Sequence, residues 1–448
     1  MTEMIVDHTD AGAAFRRLSL PLAVTMLGDQ LLGIVDTIAI GSMGTVPLAG
    51  VTAAAAVFVS AIYAISGFSS GLSIVAAQRI GAHDVDGFAR SVRAGAIVPM
   101  LCAIACALLS IPLSLPIVHA MVGPLASVKA SGEYLTVRCF SLIPIVVSGT
   151  LIAGLGAAGN RKIGVYVLAL INLVHIPLLL VLALGWGTHH PLGIVGAGIS
   201  SLTSEAIAAA YALIYAARRP VYRIFERARN IEWKLALEIA RLGLPEAIFL
   251  IAVVLPDTLM IAMLAQFGPT VISALRALNI VSDLTFVVPS PLQAAAQTVI
   301  GQRLGARDIE GARHFFYRAR RLSFWIAGLT GLVIAVFAWP LAYVFTLNAE
   351  VATLAALPLA LHMTALPIKG WAMVSLAPIR ASGDTRFSMF VGLLCGALVL
   401  PIAWICINRL HAELYAVPIA WIAAWLARAA LTQWKLHGDS WTRGALAV

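Results

Sequence analysis

The chain has 448 residues, of which 60% are hydrophobic and only 11% charged, with a mean hydropathy of +0.93. That balance excludes an ordinary water-soluble domain, and a net charge of +9 cannot be assigned to nucleic-acid binding before the placement of the basic residues is known. In chain order, twelve apolar runs fall near residues 18–41, 50–76, 94–118, 134–157, 163–186, 193–217, 241–266, 271–300, 321–346, 353–378, 388–408 and 413–434. Each has about the twenty residues that a helix needs to cross roughly 30 Å of hydrocarbon. The segment before the first run, "MTEMIVDHTDAGAAFRR", lacks the basic start and short apolar core of a cleavable signal, so the first span is expected to remain in the mature protein. The expected fold is all-α and integral to the membrane, with twelve transmembrane helices.

Of the thirty Lys and Arg residues, all but Lys129, Arg138, Arg276, Lys369 and Arg409 lie on one set of alternating segments. These are the N-terminus, the ends and loops after the even-numbered spans, and the C-terminus. Basic residues collect on the cytoplasmic side of a membrane protein, which predicts a multi-pass protein of the cytoplasmic (inner) membrane with both termini in the cytoplasm. Membrane lipids, rather than nucleic acid, are then the partners of the positive charge. The longest basic stretch, "ARRPVYRIFERARNIEWK" at 217–234, predicts a cytoplasmic linker at 218–240 facing anionic headgroups. It separates an N-terminal six-helix lobe, 1–217, from a C-terminal one, 241–448.

The two lobes repeat each other. "QRIGAHDVDG" at 78–87 returns as "QRLGARDIEG" at 302–311, an offset of 224, which is half of the 448 residues. At the same offset Leu20-Pro21 meets Leu244-Pro245, Gly44 meets Gly268, Gly159 meets Gly383 and Pro177 meets Pro401. Six spans per half is an even number, so the halves enter from the same side and form parallel repeats about a pseudo-twofold axis along the membrane normal. This organisation is characteristic of secondary transporters. Gly81 and Gly305 are expected to stop helices at the cytoplasmic face; the doubled stretch is a structural turn or a cytoplasmic gate joining the halves.

Ionisable groups inside the spans are costly and therefore candidate sites. Asp36 lies in the first span as the candidate proton carrier, with Asp29 seven residues earlier on nearly the same face and Gln30 beside it. Asp29 is either a second stop for the proton or a solvated acid. In the second half, Asp257 and Arg276 lie at matching depths on either side of the Phe267-Gly268-Pro269 turn, which predicts an ion pair. Arg276, Asn279 and Asp283 share a helix face and, with Lys369, outline a polar network. Arg138 and His362 occupy equivalent positions of the repeat. Cationic groups facing a cavity disfavour cationic substrates, Glu205 being placed to offset them. Phe58, Tyr63, Phe68, Phe249 and Phe286 line a cavity or pack between helices. The five cysteines all fall in apolar runs without a Cys-x-x-Cys pair, which points to packing rather than metal or disulfide chemistry. The sequence presents no phosphate loop, metal-ligand cluster or nucleophile with its base, so no enzyme activity, metal or cofactor is expected.

The run "LPLAVTMLGDQLLGIVDTIAIGSMG" at 20–44, with the doubled Gln-x-x-Gly-Ala and with "GAAGN" and "RASGDTR" after the fourth and tenth spans, resembles the multidrug and toxic compound extrusion (MATE) family. In pattern it is most similar to the bacterial proton-coupled, DNA-damage-inducible branch. The resemblance implies two six-helix lobes arranged as a V around a substrate cavity. It implies a monomeric antiporter that exports lipophilic small molecules against protons, with sodium as the second choice of ion. That branch joins an Asp on the first span to an Asn-x-x-x-Asp-Pro run on the fifth and a Thr on the sixth. Asp36 matches the first, Asn172 and Pro177 match the run, and Ser201 falls near the Thr. The second Asp is missing: Ile176 holds its place, preceded by His175. An adjacent helix position points about 100° away, so His175 either packs against a neighbouring helix or shares the proton with Asp36. A flippase for lipid-linked saccharides, from the wider superfamily, is the alternative suggested by Arg138, Arg276 and Lys369.

Overall fold

The computed structural model describes residues 11–123, 127–187, 191–226, 232–438 and 440–442. The first half is built from α1 (Ala11–Gly41), α2 (Thr45–Gly81), α3 (Val85–Val122), α4 (Val128–Ala157), α5 (Lys162–Leu182) and α6 (Gly193–Ala217). A 3-10 turn, Pro220–Tyr222, follows. The second half is built from α7 (Trp233–Leu264), α8 (Pro269–Leu284), α9 (Pro289–Gly305), α10 (Ile309–Val336), α11 (Ala338–Thr346), α12 (Ala349–Met363), α13 (Leu366–Ala381), α14 (Thr385–Asn408) and α15 (Ala416–His437).

Among the described residues eleven helices are long and apolar enough to span a membrane, or twelve once α12 and α13, bent by 46°, are counted as one broken span. The extra elements of the second half are interruptions rather than extra crossings. Pro289 and Pro291 at the start of α9 lack the N–H groups that would continue the ladder from α8. Pro367 opens α13 in the same way. α7 begins at Trp233, earlier than the apolar run suggested, because the helix continues past the hydrocarbon into basic and acidic residues that hydropathy cannot count.

The described chain divides into two compact units, one containing Leu20–Ala247 and the other Ile248 onward with the start of α1. Each has its own apolar core. Phe58, Leu135, Leu142 and Leu179 lie in the first; Met260, Leu275, Leu359 and Val391 lie in the second. Large apolar side chains elsewhere face outward, as Leu101, Leu108, Leu109 and Ile111 do on α3, which is how a helix presents itself to lipid rather than water.

The repeat is visible in local geometry. In "QRIGAHDVDG", α2 stops at Gly81, His83 adopts the left-handed conformation (φ 60°) and Asp84 caps α3 by accepting from Gly87 N at 2.7 Å. Arg79 closes the turn on Asp84 at 2.8 Å. In the second copy Arg307 has φ 59°, Asp308 accepts from Gly311 N at 2.9 Å, and Arg303 closes on Asp308 at 2.6 Å. The closing glycines are sterically required: a Cβ on Gly87 would run into Asp84, and one on Gly311 into Arg303 and Asp308. Gly44 and Gly268, at φ 120° and 92°, likewise mark one turn written twice. The doubled stretch is therefore a helix stop joined to an N-cap.

Candidate functional site

Asp36 and His175 meet. His175 Nε2 lies 2.7 Å from Asp36 Oδ1, with the His175 residue 1% exposed. The contact grows from the packing of α1 on α5. Gly28 leaves room for Leu168, which would collide with any Cβ there, and Gly164 lies against Thr25. Eight residues on from Gly28 is Asp36, and seven on from Leu168 is His175. At 1.5 Å per residue these steps climb about 12 and about 10.5 Å, so the two side chains arrive level. Leu168, His175 and Leu179 form the buried face of α5. Of the two placements open to His175 from the sequence, the structure has the one on Asp36.

A second pair lies in the same unit. Arg138 Nη1 on α4 contacts Glu205 Oε1 on α6 at 3.1 Å, with side-chain exposures of 14% and 13%. The Arg138 guanidinium carbon sits 4.0 Å from the Phe58 ring centroid. Arg138 is within electrostatic reach of Asp36, and Glu205 of His175, so the four groups form one cluster.

The other first-half candidates do not join it. Asn172 donates to Leu168 O at 3.0 Å and Ser201 to Ala197 O at 3.2 Å, each on its own helix. Asp29 and Gln30 are exposed on α1.

In the second half the expected Asp257–Arg276 ion pair is absent. Asp257 accepts instead from Trp421 Nε1 of α15 at 3.1 Å. Equal depth did not guarantee facing directions: α8 turns Ala274, Leu275 and Leu278 into the core and leaves Arg276 exposed. An indole N–H satisfies a half-buried carboxylate without the cost of burying a guanidinium as well. Asp283 is exposed on α8 and Asn279 half-buried, so the four-residue network on this helix face does not close. Lys369 is buried, and its Nζ donates to Thr285 Oγ1 at 2.9 Å. His362, the repeat partner of Arg138, contacts Ser282 Oγ through Nε2 at 3.0 Å. Trp421 was not a sequence candidate; its only signal was a second Trp four residues later on a terminal span.

Two helical units, each built of membrane-length helices and carrying one copy of the doubled motif, define a membrane protein built by duplication. The MatE family profile matches residues 21–181 and 245–405, one block in each half, and the chain belongs to that family. It is a multi-pass transporter and not an enzyme. It is 27% identical over 446 residues to the multidrug resistance protein NorM of Burkholderia vietnamiensis, covering 94% of this chain and 92% of the relative. It is 26% identical over 406 residues to the probable multidrug resistance protein NorM of Rhizobium meliloti, covering 87% and 85%. Among solved structures it resembles a MOP superfamily transporter from Pyrococcus furiosus Vc1, with TM-score 0.87, 21% identity and 97% of each chain covered. A MATE transporter in a bent conformation gives TM-score 0.87 at 20% identity over 98% of each chain. The fold is therefore that of the MATE transporters.

Proposed function

We propose that the chain is a secondary antiporter of the cytoplasmic membrane that exports lipophilic small molecules in exchange for protons, with Asp36 and His175 carrying the proton together. The observation that supports this is the 2.7 Å contact between a half-buried carboxylate and a buried imidazole, beside a second acid–base pair in the same unit. His175 Nδ1 is buried without a hydrogen-bond partner among the described residues. With a single proton, placed on Nε2, the imidazole donates to the Asp36 carboxylate and leaves Nδ1 bare. This is the proton-empty pair.

Loading adds a proton at Nδ1, and that N–H then needs an acceptor. Glu205 Oε2 is a carboxylate oxygen of the same cluster, also buried and without a partner among the described residues. Loading turns the contact with Asp36 into a charge-assisted imidazolium–carboxylate bond, and Glu205 Oε2 is the acceptor that the cluster offers to the second N–H. Drug export is supported by the multidrug resistance names of the NorM relatives. Of the three cations behind the flippase alternative, Arg138 is engaged by Glu205 and Lys369 by Thr285, which leaves Arg276.

The test is uptake of a panel of lipophilic dyes and drugs into inside-out vesicles under an imposed pH or sodium gradient. Uptake should follow the pH gradient and vanish in Asp36→Asn, which keeps the size of the side chain but cannot titrate. Uphill transport retained in that variant, or driven by sodium alone, would place the carrier elsewhere.

A further inference from the structure

We infer that the second unit contains a cation-binding cage occupied by the protein's own Lys369, a tethered ammonium standing where a free monovalent cation would otherwise bind. The inference does not depend on the proton site of the first half.

Lys369 sits in the first turn of α13, just past the bend after α12, and is 2% exposed. A buried ammonium is costly unless its three donors and its charge are compensated. Three features compensate it. Thr285 Oγ1 accepts from Nζ at 2.9 Å and gives its own hydroxyl proton to Ser282 O at 2.6 Å, so the Thr285 lone pairs are turned to the cation. The Phe286 ring centroid lies 3.1 Å from Nζ and the Trp425 centroid 5.6 Å away, the latter shared with the Arg428 guanidinium at 5.0 Å; Phe286 is thus the main π face toward Lys369. Asp257 and Asp283 act on Lys369 electrostatically, although no carboxylate among the described residues comes within ion-pair distance of it.

The cage is itself supported. Trp421 holds the Asp257 carboxylate and stacks on Trp425, with centroids 6.3 Å apart at 29°; Trp425 in turn packs against Phe286 at 6.4 Å. A structural salt bridge would bring a carboxylate into contact, and a residue merely filling space would not have a hydroxyl with its lone pairs directed at the nitrogen. An oriented oxygen, an aromatic face and two more distant carboxylates are the elements of a monovalent-cation site. With Lys369 in place that site is filled by the protein's own amino group.

The experiment is the melting temperature of the purified full-length protein in n-propylammonium, sodium or N-methylglucamine chloride at constant ionic strength. The wild type should not distinguish the three. Lys369→Ala, which empties the cage, should melt lower and regain stability with n-propylammonium, by roughly 1–2 °C for each tenfold in ligand above its Kd. N-methylglucamine, too bulky for the space, should give no recovery. Lys369→Met, which fills the volume without charge, should remain indifferent to all three salts. The proposal is overturned if no probe stabilises the Ala variant, or if the Met variant or the wild type responds as much. Should Lys369→Ala not be recovered from the membrane, Lys369→Ser leaves a comparable space and is held to the same outcomes. Because the readout is stability rather than export, failure of the proton site in the first half would leave this result unchanged.

Discussion

A histidine one position away from an expected carboxylate alters what the site can do. Asp36 with His175 is a mixed acid–base pair, whereas two carboxylates would repel each other when both are ionised. The contact brings a carboxylate oxygen within 2.7 Å of an imidazole nitrogen, and hydrogen bonds to charged groups are worth about 1.5–3 kcal/mol. Its removal should change proton occupancy by roughly 10- to 100-fold. His175→Ala should therefore lose pH-driven uptake in vesicles while inserting normally, and His175→Gln, which restores a donor without a titrating ring, should insert and also fail to couple. Full coupling in His175→Ala would show that Asp36 works alone. The neighbouring pair answers to a different measurement. Arg138 and Glu205 are nearly buried, and breaking such a pair from one side costs roughly 3 kcal/mol or more, because a bare charge remains. Arg138→Met and Glu205→Gln should each lower the melting temperature, and the double variant should lower it less than the sum of the two. Strict additivity would mean that the two do not interact. The sequence identified Asp36, His175, Arg138 and Glu205 as candidates, since charge inside a span is conspicuous. It could not decide the pairing, because partner choice depends on helix azimuth, which here follows from the absence of a side chain at Gly28.

The elements that recur in the two halves are turns, and turn chemistry is local enough to be read directly. Glycine, aspartate and arginine at fixed spacing imply a helix stop, an N-cap and a charge that closes the loop, and the structure has all three twice. The broken spans were less legible. Pro289, Pro291 and Pro367 are visible in the sequence, yet Pro177 and Pro401 lie inside continuous helices, because a transmembrane helix tolerates a proline when its neighbours satisfy the freed carbonyl. The failed Asp257–Arg276 pair has the same origin as the undecided pairing at Asp36: depth follows from counting residues and facing direction does not. The turn yields a sharp expectation. Gly87→Ala or Gly311→Ala forces a methyl group into an Arg–Asp contact and should cost roughly 1–3 kcal/mol, while Asp84→Ala or Asp308→Ala removes a cap worth about 1 kcal/mol. Thermal melts should show a larger loss for the glycine variants than for the aspartate variants, with the ratio of protons to substrate unchanged. A change in that ratio would indicate that the doubled turn gates transport.

At the scale of the whole molecule, duplication and charge placement carry a claim about orientation. Each half begins with an apolar helix, and the basic residues lie almost entirely on the segments after even-numbered spans. The membrane potential and anionic lipids hold such segments in the cytoplasm. The start of the linker is also folded onto this face of the first unit: Tyr222 packs on Phe88 with ring centroids 5.9 Å apart, Arg93 donates to Ile224 O at 2.9 Å, and Arg223 contacts Asp86 at 3.1 Å. The Asp86 carboxylate raises the pKa of Arg223 further above its ordinary value, so the charge persists at every pH the cell meets. The opposite face has Lys129 and Arg409 as its basic residues. Orientation can be measured after replacing the five native cysteines, Cys102, Cys106, Cys139, Cys395 and Cys406, none of which is in a disulfide. A single cysteine at Lys129 or Arg409 should react with a membrane-impermeant maleimide on intact cells. One at Arg218 or Arg307 should react only after permeabilisation. Labelling of Arg218→Cys on intact cells would invert the topology.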